Sequence, residues 1–96
     1  MKVYWHRELP PLDAQALSEH VVEADSCRVR ATRADRELWD KCADDLAKGI
    51  EARLTQEGAR LGGRCAHVLD EHIDVKHDFT RDEAWLHGRY TYMLYR

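Results

Sequence analysis

The chain has 96 residues and a formal net charge of −3, from 15 basic and 18 acidic side chains that are intermixed along it. This length predicts a single domain, residues 1–96. The charge balance excludes the basic footprint typical of nucleic-acid binding, and neither a basic amphipathic segment nor an apolar run of ~18 residues indicates a membrane partner.

The cysteines predict a reducing compartment. Their number is odd, they are widely spaced and they form no CxxC pair: Cys27, Cys42 and Cys65. The N-terminal residues 1–12 lack the apolar stretch and cleavage site of a secretory signal. We therefore expect reduced, mostly buried thiols and a cytoplasmic location.

The first third of the chain predicts a strand followed by a short helix. Val3, Trp5 and Leu9 alternate with polar residues, which favours a strand with one face inward. Asp13 suits a helix N-cap after the Pro10-Pro11 turn. The helical spacing of the next apolar residues predicts a helix of about three turns, carried by Ala14, Leu17, Val21 and Ala24.

A second strand and a long helix follow. Cys27, Val29 and Ala31 alternate with charged residues, and Thr32 to Asp35 fits a capping box. The helix is predicted from Thr32 to Gly63, where Gly62-Gly63 can end it. Its apolar stripe comprises Trp39, Ala43, Leu46, Ile50, Leu54 and Leu61.

The C-terminal third predicts a hairpin of two strands, roughly 64–77 and 84–95, around the polar turn 78–83. Centring it on Thr80-Arg81 pairs Val75 with Leu86 and Asp74 with His87. The same register puts Leu69 opposite Tyr92, Val68 opposite Met93 and Glu71 opposite Tyr90. One face is then apolar except for Glu71, and the other is mostly polar.

Together these elements predict an α+β two-layer sandwich in the order β-α-β-α-β-β. Both helices would cover one face of a four-stranded mixed sheet, through two right-handed β-α-β connections. The last two strands would be antiparallel neighbours.

Two segments carry a family resemblance. The run Ala59 to Val68 ends an Ala-rich helix in Leu-Gly-Gly and enters a strand, and residues 86–92 form a Gly-containing final strand. This two-thirds of the chain resembles the small bacterial α/β domains of the YbjQ type, which are labelled as heavy-metal-binding. Arg64 and Cys65 stand where that family usually has Asn and Ala, and no metal ligand is matched. The resemblance implies an oligomerising α+β module.

The hairpin also holds the residue types of a metal or acid–base site: Cys65, His67, Asp70, Glu71, His72, Asp74, His77 and His87. Strand alternation would point Cys65, His67 and Glu71 one way and Asp70, His72 and Asp74 the other, with Arg89 beside His72. We therefore predict no bound metal and no cofactor. If the protein is an enzyme, the candidate catalytic residues are Glu71, desolvated near Tyr90, with His72 and His87.

The predicted function is a non-enzymatic binding or assembly module that forms a homo-oligomer, since Leu, Ile, Val and Phe total only 19 residues. Trp85, Met93 and Tyr95 would lie on the hairpin face away from the helices and add to an interface there, or at the edge strand beside it. The alternative is a small enzyme or metal-dependent protein that uses the hairpin; the small-molecule ligand, if any, is not indicated.

Overall fold

The computed structural model describes residues 1–96 as five strands and one long helix. The elements in chain order are β1 (Lys2–Tyr4), β2 (Ala16–Asp25), β3 (Val29–Arg30), α1 (Arg36–Arg60), β4 (Cys65–Asp78) and β5 (Glu83–Tyr95), with a 3-10 turn at Ala31–Arg33 before α1.

The five strands form one mixed sheet. Four of them lie in the order β1-β4-β5-β2, and the short β3 pairs with the start of β5 on the same side as β2. Only β1 and β4 pair in parallel; the other pairs are antiparallel. Helix α1 packs on one face. We call this the helix face and the opposite one the open face. Strand β5 alternates between the two faces, with Ala84, Leu86, Gly88, Tyr90, Tyr92 and Leu94 buried on the helix face.

The predicted two-layer order β-α-β-α-β-β, with two helices on a four-stranded sheet, is wrong. The predicted first helix is strand β2, which pairs with β5 along its whole length. Val22 and Ala24 are buried on the helix face, whereas Leu17 and Val21 are 37% and 49% exposed. Adjacent β-branched residues favour a strand, and a helix of three turns is marginal by itself. The first of the two predicted β-α-β connections is absent with it. The second is present as β3-α1-β4, because β3 and β4 both run antiparallel to β5 and are therefore parallel to each other.

The long helix is confirmed, but it begins later than predicted. Asp35 is its N-cap, and its Oδ1 accepts the Leu38 N–H at 2.9 Å. Thr32 is not the cap, because its hydroxyl donates to Asp82 Oδ2 at 2.7 Å and its N–H donates to Oδ1 of the same carboxylate at 3.1 Å. A partner in the hairpin turn therefore replaces the local capping box.

The helix stripe forms the centre of the core. Leu46, Ile50 and Leu54 are almost fully buried, as predicted. The other buried positions are Cys42 and Gly58, whereas the predicted members Ala43 and Leu61 are exposed. Trp39 is partly buried and packs against the core, as do Val3 and Trp5 of the N-terminal segment. Leu9, which was expected inside, is 76% exposed.

The β4–β5 hairpin has the predicted register from Asp70 to its turn, because Asp78 pairs with Glu83 around residues 79–82. Leu69 is an extra residue, a β-bulge between Val68 and Asp70. It shifts the earlier pairs by one position, so that Val68 lies opposite Tyr92 and is fully buried. The predicted pairs of Val68 with Met93 and of Leu69 with Tyr92 are therefore wrong.

Candidate functional site

The three candidate catalytic residues do not converge. Glu71 pairs with Tyr90 and lies on the helix face. His72 pairs with Arg89, and His87 pairs with Asp74, on the open face. The registers of all three were predicted correctly, but the sheet itself separates Glu71 from the two histidines.

The bulge at Leu69 changes the argument about metal ligands. Cys65 and His67 pair with Tyr95 and Met93, which places them on the open face together with His72 and Asp74. The predicted split between faces is therefore wrong for these two residues. His67 and His72 lie opposite Met93 and Arg89, four positions apart along the ladder, or about 13 Å. No three His, Cys, Asp or Glu side chains come together as a metal site.

His87 bridges two carboxylates of the neighbouring strand β2. Its Nδ1 lies 2.6 Å from Asp25 Oδ1, and its Nε2 lies 3.3 Å from Glu23 Oε1. The hydrogen bonds to Asp25, first, and to Glu23 raise the pKa of His87. Because both ring nitrogens face carboxylates, neither is free to exchange a proton with a substrate. The arrangement holds β2 to β5.

Asp74 lies opposite His87 in the ladder, as predicted, but its carboxylate turns along its own strand. Asp74 Oδ1 is 3.2 Å from His72 Nε2. The polar side chains of the open face therefore form two separate groups. One joins His87 of β5 to Asp25 and Glu23 of β2, and the other joins His72 to Asp74 within β4.

Glu71 lies beside Tyr90 as predicted, but the predicted desolvation of its carboxylate is absent. Its side chain is exposed, and His6 Nδ1 lies 3.9 Å from its Oε2. Burial, and to a lesser extent the Glu71 charge, raises the pKa of Tyr90. An exposed carboxylate does not undergo the desolvation that would turn it into a general acid at neutral pH.

Two shallow clefts indent the surface, and neither contains Glu71, His72 or His87. One, of about 480 Å³, lies between β3 and the first half of α1 and is lined by Cys27, Val29, Leu38, Lys41, Asp44, Asp45 and Lys48. The other, of about 470 Å³, lies between β2 and the second half of α1 and is lined by Val21, Val22, Glu23, Arg53, Gln56 and Glu57.

Two outer edges of the sheet lack a strand partner, that of β2 and that of β4 beyond its pairing with β1. On β2, the Arg53 guanidinium of α1 donates to the Glu23 carbonyl at 2.9 Å, whereas no side chain bonds to the backbone of β4 at 72–78. Strand β1 pairs only with Cys65–His67, and the turn at residues 5–8 that follows it reaches Glu71 through His6. From His72 to Asp78 no strand of the chain pairs with β4 on that side. These seven residues, which we call the β4 edge, leave backbone N–H and C=O groups directed outward.

The side chains of the β4 edge divide by face. Ile73 and Val75, on the helix face, are 42% and 52% exposed because α1 lies over β2 and β5. On the open face, His72, Asp74, Lys76 and Asp78 follow one another. Their potential charges alternate in sign, a signal that is visible in the sequence but that we did not use to predict an interface.

Comparisons with known proteins give no relative: no family model, curated protein or solved structure matches the chain. The resemblance to YbjQ-type domains stays a prediction. Helix α1 has 25 residues but is too polar to cross a bilayer.

Proposed function

We propose that the protein is a non-enzymatic assembly module in which two copies join through the β4 edge into one continuous sheet. The supporting observation is the unpaired run His72–Asp78, a strand edge with two exposed apolar residues. Exposed edges of this length readily pair with another chain. An identical copy offers the same free hydrogen-bonding groups.

The charges select the register of such a dimer. A two-fold axis through Val75 in an antiparallel pair puts residue i of one copy opposite residue 150 − i of the other. Asp74 then faces Lys76 twice, and His72 faces Asp78 twice, all on the open face. An axis through Asp74 would instead put the two Asp74 carboxylates opposite each other and His72 opposite Lys76. The repulsion between the two carboxylates makes this register unfavourable.

The free length of the edge selects between the remaining registers. An axis through Ile73 would likewise avoid like charges, since it puts Asp70 opposite Lys76 and His72 opposite Asp74. It would, however, need residues 69–71, and Glu71 is already beside His6. The axis through Val75 uses only residues 72–78, which are all free.

Apolar contact would add to the hydrogen bonds. About the same axis, Val75 of each copy packs against Val75 of the other, and Ile73 lies opposite His77. Both aliphatic side chains are about half exposed in the single chain, and burying the rest would contribute roughly 25 cal/mol per Å². We propose the cytoplasm as the compartment, in agreement with three free cysteines.

Sedimentation equilibrium at micromolar concentrations tests the assembly. We expect twice the monomer mass of 11.2 kDa, and Val75→Lys should dissociate the dimer because it places two ammonium groups in contact. Val21→Lys is the matched control, since Val21 is also half exposed but lies on β2, at the opposite edge of the sheet; dissociation by Val21→Lys and not by Val75→Lys would place the contact on β2 instead. A mass of 11.2 kDa for the unchanged chain would contradict the proposal.

Charge exchange tests the register. Asp74→Lys alone opposes the introduced lysine to Lys76 across the axis, and Lys76→Asp alone opposes two aspartates, so each should raise the dimer Kd by about tenfold. The double variant Asp74→Lys/Lys76→Asp has the same composition as the unchanged chain and should restore the Kd. With the axis at Ile73 the double variant would stay weak, because the introduced lysine would face His72 and the introduced aspartate would face Asp70.

A further inference from the structure

Two cysteines that are distant in sequence meet at the end of the cleft between β3 and α1. Cys27 follows β2 and is exposed, whereas Cys42 lies on α1 and is fully buried. Their Sγ atoms are 3.9 Å apart. The third thiol, Cys65, lies at the start of β4 on the open face.

Several hydrogen bonds fix this approach. The Cys27 N–H donates to Asp45 Oδ2 of α1 at 2.7 Å, and the Cys42 thiol donates to the Cys27 carbonyl at 3.6 Å. The preceding Ser26 is tied to β5, because its Oγ accepts the Leu86 N–H at 2.9 Å and its own N–H donates to the Leu86 carbonyl at 2.8 Å. The backbone of the Cys27 segment is therefore held to both the helix and the sheet.

We propose that Cys27 and Cys42 form an oxidation site, at which a peroxide entering the cleft converts the two thiols into a disulfide that fastens the β2–β3 connection to α1. A disulfide needs the sulfurs about 2.05 Å apart, so they must close by roughly 2 Å. Side-chain rotation at the exposed Cys27 can supply much of this movement.

The chemistry balances in two steps. The Cys27 sulfur attacks one peroxide oxygen, the O–O bond breaks, one water leaves and Cys27 becomes a sulfenic acid. The Cys42 sulfur then attacks the Cys27 sulfur, the S–S bond forms, the S–O bond breaks, and the hydroxyl leaves as a second water with the Cys42 proton. Two thiols are oxidised by two electrons, and one peroxide is reduced to two waters.

The pH dependence of the first step follows from the surroundings of Cys27. Partial burial of the thiol, then the hydrogen bond and charge of Cys42, and then the Asp45 carboxylate raise the pKa of Cys27. Since the thiolate is the nucleophile, oxidation should be slow at pH 7 and accelerate about tenfold per pH unit in the alkaline range below that pKa.

Mass spectrometry after hydrogen peroxide treatment at about pH 8.5 tests the site. We expect a loss of two hydrogens per chain and a linked pair of tryptic peptides, residues 8–28 and 42–48. Cys65→Ser should leave the linked pair unchanged, whereas Cys27→Ser, at an exposed position, should abolish it. Cys42→Ala should also abolish it. Cys27→Ser is the decisive variant, because Cys27 is exposed whereas replacing the fully buried Cys42 can destabilise the fold. A bridge that involves Cys65, or Cys27 oxidised without a bridge, would overturn the proposal.

Thermal unfolding tests the fastening. The bridge closes a loop of about 15 residues, which predicts a Tm increase of roughly 10–20 °C for a chain of this size. Dithiothreitol should reverse the increase, and Cys27→Ser should show none after peroxide. A linked peptide pair with an unchanged Tm would overturn the claim that the disulfide fastens α1 to the β2–β3 connection.

Discussion

The side chain of Leu46, on helix α1, lies over Gly88 of β5 and occupies the space that a Cβ on Gly88 would need. Such a Cβ would lie 3.0 Å from Leu46 Cδ2 and 2.8 Å from Tyr90 Cε1. The glycine in the middle of β5 therefore sets how closely the helix approaches the strands.

Gly88→Ala should lower the free energy of unfolding by about 1–3 kcal/mol, because both neighbours belong to the packed core. Gly49→Ala is the matched control. Gly49 lies within α1 and has open space where a Cβ would be, so alanine there should raise the free energy of unfolding by about 0.5–1 kcal/mol. Urea titration of both variants measures the difference, and equal signs would contradict the crossing at Gly88.

The buried stripe of α1 predicts a second contrast. Leu46→Ala or Ile50→Ala should each cost about 2–5 kcal/mol, since both side chains are almost fully buried. Leu61→Ala, at the exposed C-cap, should cost less than about 1 kcal/mol. Denaturant titration that gave similar losses at Leu46 and Leu61 would show that the stripe does not form the core.

The hydroxyl of Tyr92 is buried under α1 without a hydrogen-bond partner. An unsatisfied buried hydroxyl costs about 1–3 kcal/mol, so Tyr92→Phe should leave the core packing intact and raise the free energy of unfolding by about 1 kcal/mol. Tyr95→Phe, at a half-buried position on the open face, should change it by less than about 0.5 kcal/mol. A clear loss of stability in Tyr92→Phe would mean that the hydroxyl has a partner in solution.

His87 predicts a pH dependence of stability with a definite sign. Its folded-state pKa is raised above the ordinary 6.5 by Asp25 and then Glu23. The resulting stabilisation is fully present below about pH 6.5 and is lost as the pH rises through the folded-state pKa.

Chemical-shift titration of the His87 ring measures this directly. Asp25→Asn should lower the pKa of His87 more than Glu23→Gln does, because the hydrogen bond to Asp25 is the larger cause. His77→Gln, at the far end of β4 where His77 stacks on Phe79, should leave the His87 titration unchanged. The opposite order of the two carboxylate variants would contradict the assigned geometry.

The sequence predicted the structure best where the pattern of apolar and polar residues was compatible with only one type of secondary structure. The sequence predicted the β4–β5 register from Asp70 onward, through alternation around a symmetric polar turn. It was misleading at β2, where Leu17, Val21 and Ala24 match the helical period although the segment pairs with β5. That pairing depends on residues about 70 positions away, which no local period reports.

The candidate site could be predicted only in part. The neighbours of His72 and His87 across the hairpin were predicted correctly, but the contact of His87 with Asp25 required β2 to be a strand. The meeting of Cys27 with Cys42 likewise depends on how α1 lies against the β2–β3 connection, and their spacing in the sequence does not indicate it. The unpaired β4 edge becomes visible only when β1 is seen to stop at Tyr4.

The bulge at Leu69 gives β4 one residue more than its ladder with β5 uses. Removing Leu69 would leave Val68 opposite Tyr92 and Asp70 opposite Thr91, so that Ala66 and Val68 would stay buried under α1. Removing a second residue would turn Ala66 and Val68 away from α1 and bring Cys65 and His67 into their places. An insertion at the exposed residues 79–81 changes only a loop, because the Asp82 carboxylate that holds Thr32 lies after them. We therefore expect natural length variation in that turn, and in β4 at most the loss of the bulge residue.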